Sequence, residues 1–267
     1  MSVTKSTDGY SAGMLSKDSP QERNRLEAIQ GSVDAVTVDI LNTIGVRPAA
    51  HCLELGAGAG SIAYWLADHC RDGRVVAMDI DTRYLDPGYS ANLEVQEADV
   101  TDEGYQPGSF DLIHARYLLC HLPDRDAVLA RAASWLKPGG WLVVEEPYQL
   151  PAETSPFPLV RRLMAAYARK YAQHGADLEW ARSLPHVLAR NGLTDLEYRG
   201  NLARMGSPGR DRWAPLIKQA GPALVADGLL TEEDLAGFFD LLADPAFVDI
   251  PQVTISAWAR RPGDGTG

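Results

Sequence analysis

Cysteine is scarce in this chain: Cys52, Cys70 and Cys120 are the only three in 267 residues. The count is odd, the spacings are wide and no CxxC pair occurs, so neither a disulfide framework nor a thiolate metal site is expected. The thiols read as reduced, with Cys52 and Cys120 in apolar core segments, and the expected compartment is cytoplasmic. No apolar run is long enough to span a membrane. The stretch Met1 to Pro20 is polar and lacks the apolar region of a secretory signal. Positive charge is also short, with 25 Lys and Arg against 36 Asp and Glu and a net charge of −11. A phosphate backbone needs clustered cations, so nucleic acid is not an expected partner, and neither is a membrane. The six histidines are scattered and none pairs with another at ligand spacing, so no metal is expected. There is no G-x-S-x-G elbow, no internal repeat and no low-complexity run.

The chain does hold a concentrated glycine motif. The apolar stretch Cys52 to Leu55 runs straight into Gly56-Ala57-Gly58-Ala59-Gly60-Ser61, and a helical pattern follows. A strand, a tight glycine turn and a helix start together make a seat for a nucleotide-like ligand. Glycines supply positive φ and remove side chains that would keep the ligand from the backbone, and the helix-start amides face an anionic group.

Around this motif the pattern alternates. Pro20 to Ile44 reads as a helix, with Leu26, Ile29, Val33, Val36, Ile40 and Leu41 at helical spacing. Strands are expected at His51–Leu55, Arg74–Asp79, Leu93–Gln96, Phe110–His114 and Trp141–Glu145. Helices are expected at Ser61–Cys70 and after Asp124, a predicted N-cap. The link between Asp81 and Leu93 is too short for a full helix. After Pro147 helices predominate, at Leu159–Gln173, Leu178–Asn191 and Arg212–Leu242, with strands at Leu196–Gly200 and Gln252–Arg260. The fold class is α/β, a mostly parallel sheet with helices on both sides. The expected organisation is a mobile tail over 1–19, an α/β core over 20–150 and helical lid insertions over 151–192 and 207–250. A core strand at 193–206 separates the insertions, and a last strand and tail fill 251–267.

Ligands of open α/β sheets bind outside the carboxyl ends of the strands. Asp79 and Ile80 end the second strand, and a carboxylate there can accept both hydroxyls of a ribose. Asp99 and Val100 follow the third strand, where a carboxylate can accept an adenine N–H. His114, Ala115 and Arg116 end the fourth. The segment Leu136-Lys137-Pro138-Gly139-Gly140 is assigned to a turn at the opposite end of the sheet, with a structural role.

Five segments in this order, "LELGAGAG", "VVAMDID", "EADV", "FDLIHARYLLCHLPD" and "LKPGGWLVVEE", resemble class I S-adenosylmethionine-dependent methyltransferases. The resemblance runs from about Tyr10 to Arg261. It implies a Rossmann-like, doubly wound seven-stranded sheet with an antiparallel last strand and a helical lid. It implies S-adenosyl-L-methionine as cofactor, with Glu54, Gly56, Ala57, Gly58 and Gly60 around its methionyl part. By the same resemblance Asp79 and Ile80 hold the ribose, Asp99 and Val100 the adenine, and Ala115 and Arg116 the pocket edge. The N-terminal stretch "GYSAG…ERNRLEAIQ" is similar to one that folds over the cofactor in small-molecule members, which nominates Tyr10 and Gln30 as lid contacts.

The implied reaction is methyl transfer by in-line displacement to a small, aromatic or heterocyclic natural-product acceptor, at O, N or C. His114 is the favoured general base by position. His121, Glu145, Glu146, Tyr148, His174 and His186 are further candidates. Tyr167, Tyr171, Trp180, Trp213, Phe238 and Phe239 read equally as acceptor walls or helix core. A homodimer that exchanges the first helix is carried as an expectation. Two rival readings are a nicotinamide oxidoreductase, opposed by the G-x-G-x-G spacing, and a methyltransferase-like protein that binds cofactor without turnover.

Overall fold

The computed structural model describes residues 15–102, 104–206 and 212–263. In chain order the elements are α1 (Glu22–Thr43), β1 (His51–Leu55), α2 (Ser61–His69), β2 (Arg74–Asp79), β3 (Leu93–Glu97) and β4 (Phe110–Arg116). They continue with α3 (Arg125–Trp135), β5 (Leu136–Gln149), α4 (Pro158–Gln173), α5 (Leu184–Arg190) and β6 (Thr194–Gly206). The last are α6 (Trp213–Ala226), α7 (Glu232–Ala243) and β7 (Val248–Arg260).

The seven strands lie in the order β3-β2-β1-β4-β5-β7-β6. The pairs β3–β2, β2–β1, β1–β4 and β4–β5 are parallel. β7 runs the other way: Gly139 and Gly140 at the start of β5 exchange backbone bonds with Arg261, while Leu150 just past its end bonds Pro251. The order reverses at β1, so the crevice expected of a doubly wound sheet opens beyond the carboxyl ends of β1 and β4.

Alternation along the strands sorts the core into two faces. Cys52, Val75, Ala77, Leu112, Val143 and Trp258 face one way, against Ile40 and Leu41 of α1 and Ile62, Ala63 and Leu66 of α2. Leu53, Leu55, Val76, Met78, Ile113, Leu142 and Val144 face the other, against Val128, Leu129 and Ala132 of α3 and Leu184 and Leu188 of α5. Continuous apolar runs in the central strands follow from this double cover.

Two compact units emerge. One comprises Val33–Tyr148, Leu178–Leu202 and the chain from Val253 onward, and carries the parallel strands and both faces just described. The other gathers residues through Ser32 with Gln149–Asp177 and Ala203–Gln252. Helices dominate this second unit, where Arg162 pairs with Asp234 at 2.6 Å and Phe157 packs edge-on to Phe247. Thr231 caps α7 with a reciprocal bond to Asp234.

Some local expectations are corrected. Asp124 does precede α3, but its side chain makes no capping bond; its carbonyl instead accepts from Ala127 and Val128. The Lys137–Gly140 segment belongs to β5 rather than to a turn preceding it. The pairing jumps from Phe110↔Leu136 to Leu112↔Trp141, so a bulge absorbs the Pro-Gly-Gly sequence. β6 and β7 also run longer than their apolar alternation indicates, and α5 is shorter, with a 3-10 turn at Trp180–Ser183 before it.

Between Asp81 and Leu93 there is no helix, as expected. Tyr64 of α2 stacks on Tyr89 of the loop at 4.2 Å between centroids, and its hydroxyl accepts from the Asp86 amide at 2.7 Å. The Tyr89 hydroxyl donates to Asp68 at 2.9 Å. Two rings and two hydrogen bonds thus replace the missing crossover.

Candidate active site

The chain leaving β1 turns sharply into α2. Gly56, Gly58 and Gly60 have φ of 68°, 58° and 85°, a left-handed region costly to other residues. At Gly60 a β-carbon would lie 2.6 Å from the Tyr64 ring and 2.9 Å from Leu85; at Gly56 it would meet Leu118 at 3.2 Å. Gly56 and Gly60 therefore have no room for a side chain.

Asp79, buried at the end of β2, ties this turn to the next strand. Its Oδ2 accepts from the Gly58 amide at 2.7 Å and its Oδ1 from the Asp81 amide at 3.1 Å. Ile80 beside it is half-buried. Past β3, Asp99 closes its own loop through one oxygen only. Oδ1 accepts from the amide and hydroxyl of Thr101 at 2.7 and 2.6 Å, and Oδ2 takes part in neither bond. Val100 is buried in the core face that carries Leu53 and Ile113. Ala57 is buried on the opposite face.

At the ends of β1, β4 and β5 the structure brings together charges that lie far apart in sequence. Glu54 pairs in register with His114, and His114 with Val143. Glu145 lies two residues beyond Val143, so the side chains of Glu54, His114 and Glu145 share one face. His114 Nδ1 lies 2.6 Å from Glu54 Oε2, and its Nε2 lies 3.1 Å from Glu145 Oε1. Thr37 of α1 donates to the same Glu145 oxygen, and Ser256 of β7 donates to Oε2 at 2.5 Å. Arg116 completes the chain, donating to Thr37 at 2.8 Å and to Asp34 at 2.7 Å. Ser61 at the start of α2 also donates to Asp34, at 3.1 Å.

Burial alone would push the His114 imidazole towards neutrality, but the flanking carboxylates of Glu54 and Glu145 overcome it and raise its pKa to about 9. Glu145 is held below the usual carboxyl range against its burial, by His114, Arg116 and Ser256. His114, the residue expected as general base, is 0 % exposed with both ring nitrogens engaged by the two glutamates.

Glu146 points to the other face of the sheet. Its Oε1 accepts from the amides of Leu118 and Leu119 at 3.1 and 2.7 Å, and its Oε2 from Cys120 at 3.2 Å. Complete burial outweighs these donors and raises its pKa to about 7. It anchors the turn after β4, where Tyr117 adopts a left-handed φ of 54°. Both glutamates are thus engaged in buried hydrogen bonds.

The remaining expected residues fall as follows. Ala115 is buried with its side chain in the core, so only its main chain can border a ligand. Arg116 is mostly covered by Asp34 and Thr37. Gln30 is half-buried in the part of α1 that belongs to the helical unit, and Tyr10 lies outside the described residues. His121 is half-buried at the turn after β4. Tyr167, Tyr171, Trp213 and Phe238 are core residues of the helical unit. Among the described residues no group of His, Cys, Asp or Glu is arranged to hold a metal ion, and no helix is long and apolar enough to cross a membrane.

Sequence reasoning missed Asp34, Thr37 and Ser256. Their only sequence signal is polarity within apolar-periodic stretches, since Thr37 lies between Val33 and Ile40 on α1 and Ser256 between Ile255 and Ala257 on β7.

The methyltransferase domain family model matches residues 26–198. The chain belongs to the class I S-adenosylmethionine-dependent methyltransferases. It is 30% identical over 182 residues to methyltransferase str2 of Strobilurus tenacellus, an alignment covering 66% of this chain and 65% of that relative. Among solved structures it is similar to phosphoethanolamine N-methyltransferase 2 of Haemonchus contortus, in complex with phosphomonomethylethanolamine and S-adenosylhomocysteine. That match has a TM-score of 0.55 at 15% identity and covers 96% of this chain and 56% of the other. It is also similar to geranyl diphosphate C-methyltransferase of Streptomyces coelicolor, with a TM-score of 0.54 at 14% identity and coverage of 94% and 89%. At such identities the structural likeness speaks for the fold. Membership in this family sets aside the oxidoreductase reading.

Proposed function

We propose that this methyltransferase-family protein transfers a methyl group from S-adenosylmethionine to a small-molecule acceptor. The observation that carries the reading is the bond from the Gly58 amide to Asp79, which fixes a glycine-rich turn against an acid at the neighbouring strand end. When bound, S-adenosylmethionine supplies a methyl group activated by a sulfonium centre. Gly56, Ala57, Gly58 and Gly60 present main chain to its methionyl part. Asp79, at the end of β2 beside the turn, accepts the ribose hydroxyls. Asp99 Oδ2 accepts from the adenine, with Ile80 and Val100 at its edges. Ala115 and Arg116 bound the site through main chain.

Glu54 plays an indirect part, because its Oε2 is turned to His114. With His114, Glu145 and Glu146 committed to buried bonds, these three residues contribute alignment and exclusion of water.

The narrower proposal is an aromatic or heterocyclic natural product. The Haemonchus protein was solved with phosphomonomethylethanolamine and the Streptomyces protein with geranyl diphosphate, so phosphorylated small molecules form the competing class. Release of S-adenosylhomocysteine across matched panels of phenols, indoles, phosphoamines and prenyl diphosphates chooses between them. Micromolar binding of S-adenosylhomocysteine with turnover on none of these favours a cofactor-binding protein without transferase activity. Absence of binding overturns the reading altogether.

A further inference from the structure

We propose that Thr37 and Glu145 are positioning residues for the cofactor site, acting through His114 to fix the carboxylate of Glu54 beside the glycine turn. The proposal rests on the cofactor occupying that turn. Glu54 stands two residues before Gly56, near the end of β1 where the chain enters the turn.

Four side chains form an unbroken buried series. Glu54 is 4 % exposed, while His114, Glu145 and Thr37 are 0 % exposed. Thr37 is the joint: its hydroxyl donates to Glu145 and accepts from Arg116 at 2.8 Å. Arg116 in turn grips Asp34, which is one-third exposed, so the series begins near solvent on α1 and ends at the cofactor loop. Glu145 has its acceptor capacity used from three elements, by His114 on β4, Thr37 on α1 and Ser256 on β7.

Such a series is a poor way to hold a sheet together. Taking ions out of water is costly, and apolar replacements of a buried ion pair are often as stable or more so. Apolar packing cannot, however, hold a carboxylate in one rotamer. His114 does so by a charge-assisted bond to Glu54, provided it stays protonated. The charged groups facing it are Glu54 and Glu145, with Arg116 and Asp34 one step further out. Removing the Glu145 charge leaves burial unopposed on that side, so the imidazole loses its proton near neutral pH and Glu54 loses its counter-ion.

The test is calorimetric affinity for S-adenosylhomocysteine from pH 6 to pH 8 on the full chain. Wild type is expected to be flat across that range. Glu145→Gln is expected to bind progressively more weakly as pH rises, by at least fivefold across the window. Thr37→Val is expected to lose at least fivefold at pH 7, and Thr37→Ser to restore wild-type affinity. A purely structural role lowers the melting temperature without changing the shape of the pH profile, and that outcome overturns the proposal. If Glu145→Gln does not fold, the Thr37 pair decides: unchanged affinity in Thr37→Val, or no rescue by Thr37→Ser, also overturns it. Asp79→Ala is measured alongside. Affinity lost there but kept in the Thr37 and Glu145 variants defeats positioning alone; affinity kept in Asp79→Ala moves the ligand elsewhere and defeats both readings.

Discussion

His114 Nδ1 lies 2.6 Å from the Oε2 of Glu54, with both side chains buried on one face of the sheet. Because β1 and β4 pair these residues in register, the contact is fixed by the backbone and needs no induced movement. The imidazole pKa, raised to about 9 by the two carboxylates against the pull of burial, makes this an ion pair at neutral pH. A folded value above the unfolded one means the stabilising contribution is whole below about pH 6.5 and disappears as pH rises through 9. Thermal melts of wild type are expected to fall across that window. The fall should be shallower in His114→Gln, and an NMR titration of the ring should find it protonated at pH 7.

Glu146 titrates with the same sign at lower pH. Burial raises its carboxyl to about 7 despite three backbone donors. Its stabilising contribution is full below about pH 4.5 and is lost as pH rises through 7. Glu146→Gln keeps an acceptor for Leu118 and Leu119 but carries no ionisable proton. The stability difference between variant and wild type should therefore change between pH 4.5 and 7, as read by denaturant unfolding at several pH values. A constant difference would place the titrating group elsewhere.

Asp79→Ala removes both the proposed ribose acceptor and the Oδ2 partner of the Gly58 amide. Affinity for S-adenosylhomocysteine should drop at least tenfold, which is about 1.4 kcal/mol. Asp79→Asn retains an acceptor oxygen and is expected to lose less. Equal losses would indicate that charge, rather than the bond to the turn, governs the site.

Gly60→Ala places a β-carbon against the Tyr64 ring in a left-handed backbone. A penalty of at least about 1 kcal/mol is expected from the backbone alone, with S-adenosylhomocysteine binding lost in calorimetry. Gly228, equally left-handed but with nothing within 4 Å, serves as the control. Alanine there should cost backbone strain and leave binding intact.

All three cysteines are buried, and Cys52 and Cys70 lie with their sulfurs 3.7 Å apart. A thiol-specific reagent should find no fast-reacting group in the native protein and all three after unfolding.

Much of this architecture was legible in the sequence, and the reasons are local. β1 and β2 match their expected bounds because each is a short apolar run closed by a glycine or an acid. The positions of the glycine turn, Asp79 and Asp99 at the strand ends could be read because they depend on spacing within one strand-turn-helix unit. Glu145 was visible as a strand-end acid, but its partners were not. Thr37 lies 108 residues away, and only the strand order and register bring it close. His114 was visible at a strand end in the same way, but its place between two acids on the covered face follows from the pairing of the strands. The start of β5 escaped because a Pro-Gly-Gly sequence normally breaks a strand, and a bulge is a property of the pair rather than of either strand.

The stack of Tyr64 on Tyr89 shows how little is needed to span two neighbouring parallel strands. A pair of phenols and a handful of hydrogen bonds do there what a whole helix does in the other crossovers. Anyone seeking to shorten a protein of this architecture has a ready-made splice: graft the two aromatics, trim the connection, and ask whether the scaffold still folds.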